Sequence, residues 1–262
     1  MAELYANQLD LRQCGACVKW GPRVGKRMAY VFAAPGQAVV PVVGSTDLFP
    51  VHRIYCVGRN YAEHAREMGH SEREQPFFFA KPPDAAFVIS EGMTGKLPYP
   101  GATSDLQYEV ELVVAIGRHG SIVPEEKAAE LVWGYAVGLD LTRRDLQAAM
   151  KAQGRPWEIG KSFDRSAPIS AIRPIHLTGA LASGRIWLDV NGQRRQDSDI
   201  AKMIWSVDQI IEHLSRYFVL APGDLIFSGT PAGVAAVLPG DVLNGGVDGV
   251  GQLSLEIVTA AP

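Results

Sequence analysis

Cysteine is scarce in this chain: three in 262 residues, too few for a disulfide scaffold. Cys14 and Cys17 form a C-x-x-C, which is half of a zinc site or a redox pair. The other half is missing, because Cys56 lies in the apolar run Ile54-Tyr-Cys-Val57 and reads as a core residue. The flanks of the pair also lack the strand-then-helix pattern of a redox fold. No apolar run reaches the length of a membrane span, and the first residues lack the charged-then-apolar pattern of a signal peptide. Neither sign of charge dominates: 28 acidic against 25 basic residues give −3, with no basic block. A general electrostatic footprint for nucleic acid is therefore absent. Low-complexity tracts and long repeats are absent as well. What remains is 47% hydrophobic with a mean hydropathy near zero. That describes a soluble globular protein, one large domain or a core plus a small appendage, expected in the cytoplasm.

Residues 1–27 mix polar and basic side chains (Arg12, Lys19, Arg23, Lys26, Arg27) without periodicity. They read either as a poorly ordered extension or as sequence ahead of a start at Met28. Residues 28–50 are Pro/Gly-punctuated with short β-branched pieces such as Val39-Val-Pro-Val-Val43, which suits a small β-rich lead-in. From 51 to 262, short strand signals alternate with turn signals. Candidate strands are 53–57, 77–80, 108–116, 133–139, 185–190, 224–228 and 252–258. Pro-Gly-Asp occurs at 222–224 and again at 239–241, each time ahead of an apolar pair, as turns that launch strands do. Helical periodicity marks 61–68, 141–153 and 207–217, the last through Val207, Ile210, Ile211 and Leu214. The expected fold class is mainly β with short helices (α+β).

Glu109 and Glu111 stand two apart in Tyr108-Glu-Val-Glu-Leu-Val-Val-Ala-Ile116. In a strand that spacing puts both carboxylates on one face, while the apolar residues around them suggest burial on both sides. Two buried anions repel unless protonated or bridged by a cation, and a hard divalent metal resolves the conflict. A solvent-facing pair on an edge strand remains the other reading. Asp140 ends the run Tyr135-Ala-Val-Gly-Leu139 ahead of a helical segment, either as a third oxygen ligand or as an ordinary helix N-cap. After Gly58, Asn60 is placed to cap a short helix on which His64 and Glu67 are i and i+3. They form either a surface ion pair or a general base whose imidazole is oriented by a carboxylate. Arg144 and Gln147 share the same i, i+3 spacing. Lys161, between Gly160 and Ser162 and beside Ile159 and Phe163, is expected to be partly desolvated. Cations near a metal suggest an anionic substrate. Phe227-Ser-Gly-Thr-Pro-Ala-Gly233 is a small-residue loop that lets backbone N–H groups and the Thr230 hydroxyl approach a ligand, or simply a tight turn. It lacks the lysine and length of a P-loop.

In this order, Tyr55-Cys-Val-Gly-Arg-Asn-Tyr61 with His64 and Glu67, Phe77-Phe-Phe-Ala-Lys-Pro82, Tyr108-Glu-Val-Glu111, Leu139 to Gln147, Gly160-Lys-Ser-Phe163 and Gly223 to Gly233 resemble the fumarylacetoacetate hydrolase family. The resemblance covers roughly residues 50 to 258, shows no departure at these positions, and leaves 1–27 without a counterpart. It implies a mixed β-roll, a homodimer, and Mg²⁺ or Mn²⁺ held by Glu109, Glu111 and Asp140. It further implies a water-activating dyad of His64 and Glu67, and Lys161, Gln147 and Arg144 binding substrate and stabilising developing negative charge. Lys81 and Thr230 are implied to help hold the substrate. The implied substrate is a small 2-oxo acid. Phe49 to Asn60 and Leu139 to Gln147 resemble most the members that hydrolyse fumarylpyruvate in gentisate-type aromatic degradation. Other members decarboxylate oxaloacetate, or isomerise or hydrate related acids. A metal-stabilised binding module without catalysis is the reading from another class, but structural metal needs neither a His–Glu nor a Lys–Gln pair. For a distal substrate carboxylate the sequence offers Arg66, Arg143 and Arg155 without choosing among them.

Overall fold

The computed structural model describes residues 30–67 and 74–260. The Cys14–Cys17 pair, Met68, His70 and the 1–27 stretch lie outside the described residues. The chain divides after Gly36 into two units; of the first, residues 30–36 are described and carry neither helix nor strand, and the second runs Gln37–Pro262.

An eight-stranded mixed sheet forms the centre of this unit. Its neighbours run Phe78–Lys81, Arg53–Val57, Asp224–Phe227, Val110–Ile116, Val132–Leu139, Ala167–Ile169 and Ala86–Val88, and Arg173–Pro174 also pairs with Val132–Leu139. Asp224–Phe227 inserts between strands far away in sequence, parallel to Arg53–Val57 and antiparallel to Val110–Ile116. A second sheet of five strands has the order Gln193–Asp199, Arg185–Val190, Val242–Val247, Gly251–Val258 and Thr94–Pro98. The mainly β, mixed architecture is the one expected.

Every residue of Val110–Ile116 is buried. The strand is rich in β-branched and aliphatic residues and free of glycine and proline, so it suits a pleated position covered on both faces. Val110, Leu112, Val114 and Ile116 face one apolar core, and Val113 and Ala115 face another, which also holds Cys56, Ile54, Leu225 and Phe227. Each fully buried aliphatic side chain contributes about 1.5–3 kcal/mol, which fixes the register of this strand. A one-residue slip would turn Glu111 toward the first core.

All seven candidate strands form, with ends displaced by a residue or two, and both Pro-Gly-Asp turns lead into strands, Asp224–Phe227 and Val242–Val247. The helix Val207–Ser215 starts with a capping box between Ser206 and Gln209 and buries Val207, Ile210, Ile211 and Leu214. The helix expected from Leu141 begins later, as Arg144–Ala152, because Thr142–Arg143 pairs antiparallel with Leu106–Gln107. The three-residue strands Ala86–Val88 and Ala167–Ile169, which pair parallel, are too short to show periodicity in sequence.

Candidate active site

Two neighbouring strands bring the acidic groups together. Glu111 pairs with Gly138 across the antiparallel ladder, and the Asp140 N–H donates to the Glu109 carbonyl at 2.8 Å. The ligand atoms of Glu109, Glu111 and Asp140 lie within 4.8 Å of one another, and all three residues are buried. Asp140 caps no helix; it sits four residues ahead of Arg144, at the end of Val132–Leu139.

Two buried lysines and the partly buried Arg144 converge on this cluster. Lys161, at the end of the short helix Glu158–Lys161, donates to Glu109 Oε2 and Asp140 Oδ2, both at 2.7 Å. Arg144 donates to Glu109, to Gln147 Oε1 at 2.6 Å and to Gln107 Oε1 at 2.8 Å. Lys81, its side chain fully buried, stands 2.9 Å from Asp140 Oδ1 and donates to the carbonyls of Leu141 and Lys161. Glu111 has no ion pair among the described residues and accepts only the Gly229 N–H, at 2.8 Å.

The electrostatics divide accordingly. Burial pushes the Glu109 carboxyl up, but the Lys161 and Arg144 charges together outweigh it and hold the group below the usual carboxylate range. Burial, reinforced by the nearby Asp140 and Glu109 charges, pushes Glu111 well above that range. Burial disfavours the Lys161 ammonium, yet the charges of Asp140 and Glu109 raise its pKa overall. An all-oxygen set in which Glu111 has no counter-charge among the described residues and accepts a single backbone N–H fits a hard divalent cation.

His64 is 6% exposed on the helix Ala62–Glu67, its Nδ1 3.6 Å from Glu67. Nδ1 makes no hydrogen bond, so the dyad is within reach but open. Burial lowers the His64 pKa, partly opposed by Glu109, so the imidazole is neutral at pH 7. Glu67 also accepts the Gly233 N–H, which ties this helix to the 228–233 loop. In that loop Gly229 has φ +96°, and a Cβ there would come within 2.6 Å of Asn60. Only glycine lets the backbone approach closely enough to serve Glu111.

His64, Glu109, Glu111, Arg144, Gln147, Lys161 and Thr230 line one cleft of about 540 Å³. Three expectations change. Lys81 does not line the cleft; its ammonium is taken up by Asp140 and two backbone carbonyls, so it holds the site together from behind. The Thr230 hydroxyl donates to the Val110 carbonyl and accepts from Gln196, so it is used within the protein. Asn60 is no helix cap; it bonds the Trp205 backbone and the Ser228 carbonyl from a fully buried position. Gln107 and Gln196 carry no motif signal in the sequence. Gln196, fully buried, joins Val110, Thr230 and Pro231, and its only local hint is the polar run Gln193-Arg-Arg-Gln196.

Residues 53–258 match the family described as fumarylacetoacetate (FAA) hydrolase C-terminal, and the chain belongs to that family. Among its relatives, a fumarylpyruvate hydrolase of a Ralstonia species is 46% identical over 70% of this chain and 93% of its own length. The crystal structure of fumarylpyruvate hydrolase from Pseudomonas aeruginosa in complex with Mn²⁺ and pyruvate superposes with a TM-score of 0.87 at 53% identity, covering 88% of this chain and 100% of that one. A rat mitochondrial oxaloacetate tautomerase is 42% identical over 78% of this chain and 90% of its own length.

Proposed function

We propose that this protein hydrolyses the carbon–carbon bond of a 3-acylpyruvate, converting fumarylpyruvate and water to fumarate and pyruvate. The observation that carries the reading is one cleft lined by Glu109 and Glu111 of the buried carboxylate cluster, with Glu111 short of a counter-charge among the described residues, and by His64, whose Nδ1 lies 3.6 Å from Glu67. The Pseudomonas relative crystallised with Mn²⁺ and pyruvate supports the same reading.

Glu109, Glu111 and Asp140 would hold Mg²⁺ or Mn²⁺, which supplies Lewis acidity toward the 2-oxo acid end of the substrate. With its Nδ1 proton directed at Glu67, His64 keeps Nε2 as the base. It takes a proton from the water whose oxygen adds to the distal acyl carbonyl. The bond from that carbon to the methylene then breaks, and its electron pair leaves with the pyruvate enolate. The proton taken by His64 balances the one the methylene carbon gains. Lys161 and the Arg144–Gln147 pair stabilise the negative charge as it develops, where fixed charges count most in a water-poor site. Lys81 acts on Asp140 and on the carbonyl of Lys161, so it keeps the ammonium of Lys161 aimed.

The deciding assay follows the ultraviolet absorbance of acylpyruvates. Loss of absorbance with Mg²⁺ or Mn²⁺, its abolition by a chelator and its return on adding metal are expected. No turnover of any acylpyruvate would remove the proposal. The rat relative favours a second reading, chemistry on oxaloacetate, which needs no attack by water. Oxaloacetate assayed beside acylpyruvates separates the two. The same proposal includes a cytoplasmic homodimer acting in aromatic-compound degradation, with residues 51–262 as the catalytic domain. Supporting it are the family resemblance and the lack, among the described residues, of a helix long and apolar enough to cross a membrane.

A further inference from the structure

Fumarylpyruvate carries a carboxylate at each end, and the Lys161–Arg144 group answers only one of them. Of the three arginines compatible with the sequence, none lines the cleft. Arg143 lies 4.5 Å over the Phe163 ring in a separate recess, Arg155 lines the recess next door, and Arg66 is exposed on its helix. Among the described residues, the other cations that line the cleft are Arg59 and Lys151.

Arg59 is built into this position. A Cβ at Gly58 would fall 2.0 Å from the Phe77 ring, so glycine there lets that ring lie against the strand end. Phe77 meets Trp157 edge-on at 5.5 Å, and the Arg59 guanidinium sits 5.0 Å from the Phe77 centroid. The aromatic face positions the cation without using any of its N–H groups. Its ion pair, with Glu74, is long at 3.5 Å, and Glu74 is 52% exposed. A long pair with a half-exposed carboxylate contributes little and yields to an anion that the guanidinium can grip with two N–H groups. Arg59 is 23% exposed and Glu109 7%, so the guanidinium marks the rim of the cleft and the carboxylates its floor. Phe77, Phe79 and Trp157 line the same cleft, and flat apolar walls suit a planar conjugated chain.

We infer that Arg59 receives the distal carboxylate of the substrate and so selects dicarboxylic acylpyruvates over those with a neutral tail. The inference rests on the reading of the cleft as an acylpyruvate site. On binding, the substrate carboxylate takes the place of Glu74, and the planar fork of the guanidinium offers it two parallel N–H donors.

The test compares fumarylpyruvate with acetylpyruvate, which lacks the distal carboxylate, in the metal-loaded protein and its Arg59→Gln variant. The ratio of kcat/KM for the two substrates should fall about tenfold to a hundredfold in the variant, the range for a lost charged hydrogen bond. A ratio preserved within threefold, whether both rates drop together or neither does, overturns the inference. If the unmodified protein turns over neither compound, it is the proposed function that fails, and binding then decides the role of Arg59. Calorimetry should show that 2-oxoheptanedioate binds more tightly than 2-oxoheptanoate and that Arg59→Gln removes the preference. Equal binding of the two acids by the unmodified protein overturns it.

Discussion

Replacing Lys81 with methionine tests whether this residue serves the substrate or the protein. The ammonium is fully buried, 2.9 Å from Asp140 Oδ1 and bonded to the carbonyls of Leu141 and Lys161. Methionine fills similar space without charge or donors. It leaves Asp140 with Lys161 as its one remaining cation among the described residues and leaves two carbonyls short of a partner. Breaking a buried ion pair from one side costs about 3–5 kcal/mol. For a domain of this size, that corresponds to a fall of about 6–20 °C in the midpoint of thermal unfolding. A divalent ion compensates part of the lost charge at Asp140, so Mn²⁺ should raise the midpoint of Lys81→Met by more than it raises that of the unmodified protein. Differential scanning calorimetry with and without Mn²⁺ reads both quantities. A metal-free variant melting within 2 °C of the unmodified protein, with its defect confined to KM, would return Lys81 to the role of substrate ligand and refute this reasoning.

Because burial lowers the His64 pKa below its ordinary 6.5, protonation disables the base only at acid pH. The kcat/KM profile should rise with pH along a limb centred below 6.5 and be flat above it. His64→Ala should slow hydrolysis by about a hundredfold or more and erase that limb; a limb centred above 6.5 in the unmodified protein contradicts the assignment. Glu109→Gln should abolish metal-dependent turnover and weaken Mn²⁺ binding in calorimetry, while far-ultraviolet circular dichroism shows a folded chain. Full activity with bound metal would remove the proposed centre. Gln196→Leu strips partners from the Val110 N–H, the Thr230 hydroxyl and the Pro231 carbonyl. A loss of about 2–4 kcal/mol is expected in urea unfolding, and a loss below 0.5 kcal/mol would show that the loop is held by other contacts.

The chemistry of the donors was legible in the chain itself. Period two in Glu109-Val-Glu111 put both carboxylates on one face, and i, i+3 spacing paired His64 with Glu67 and Arg144 with Gln147. Both relations are local, because they follow from the geometry of a single element. The two cores on either side of Val110–Ile116 were legible for the same reason, from an apolar run interrupted only by Glu111.

Which cation meets which anion was decided elsewhere. Lys81 and Lys161 are 80 residues apart, and Gly229 reaches Glu111 across 118 residues. Those meetings exist because Asp224–Phe227 is inserted between Arg53–Val57 and Val110–Ile116 in one register. Residue type and spacing therefore determined which carboxylates, imidazole and lysines this protein has to offer a site. The sheet alone decided that Lys81 backs the site, that Glu111 lacks a counter-charge among the described residues and that Arg59 faces the cleft. Periodicity reports a side chain's direction relative to its own strand or helix, whereas an ion pair depends on where a second element, free to lie anywhere in sequence, is set down by the packing of the core.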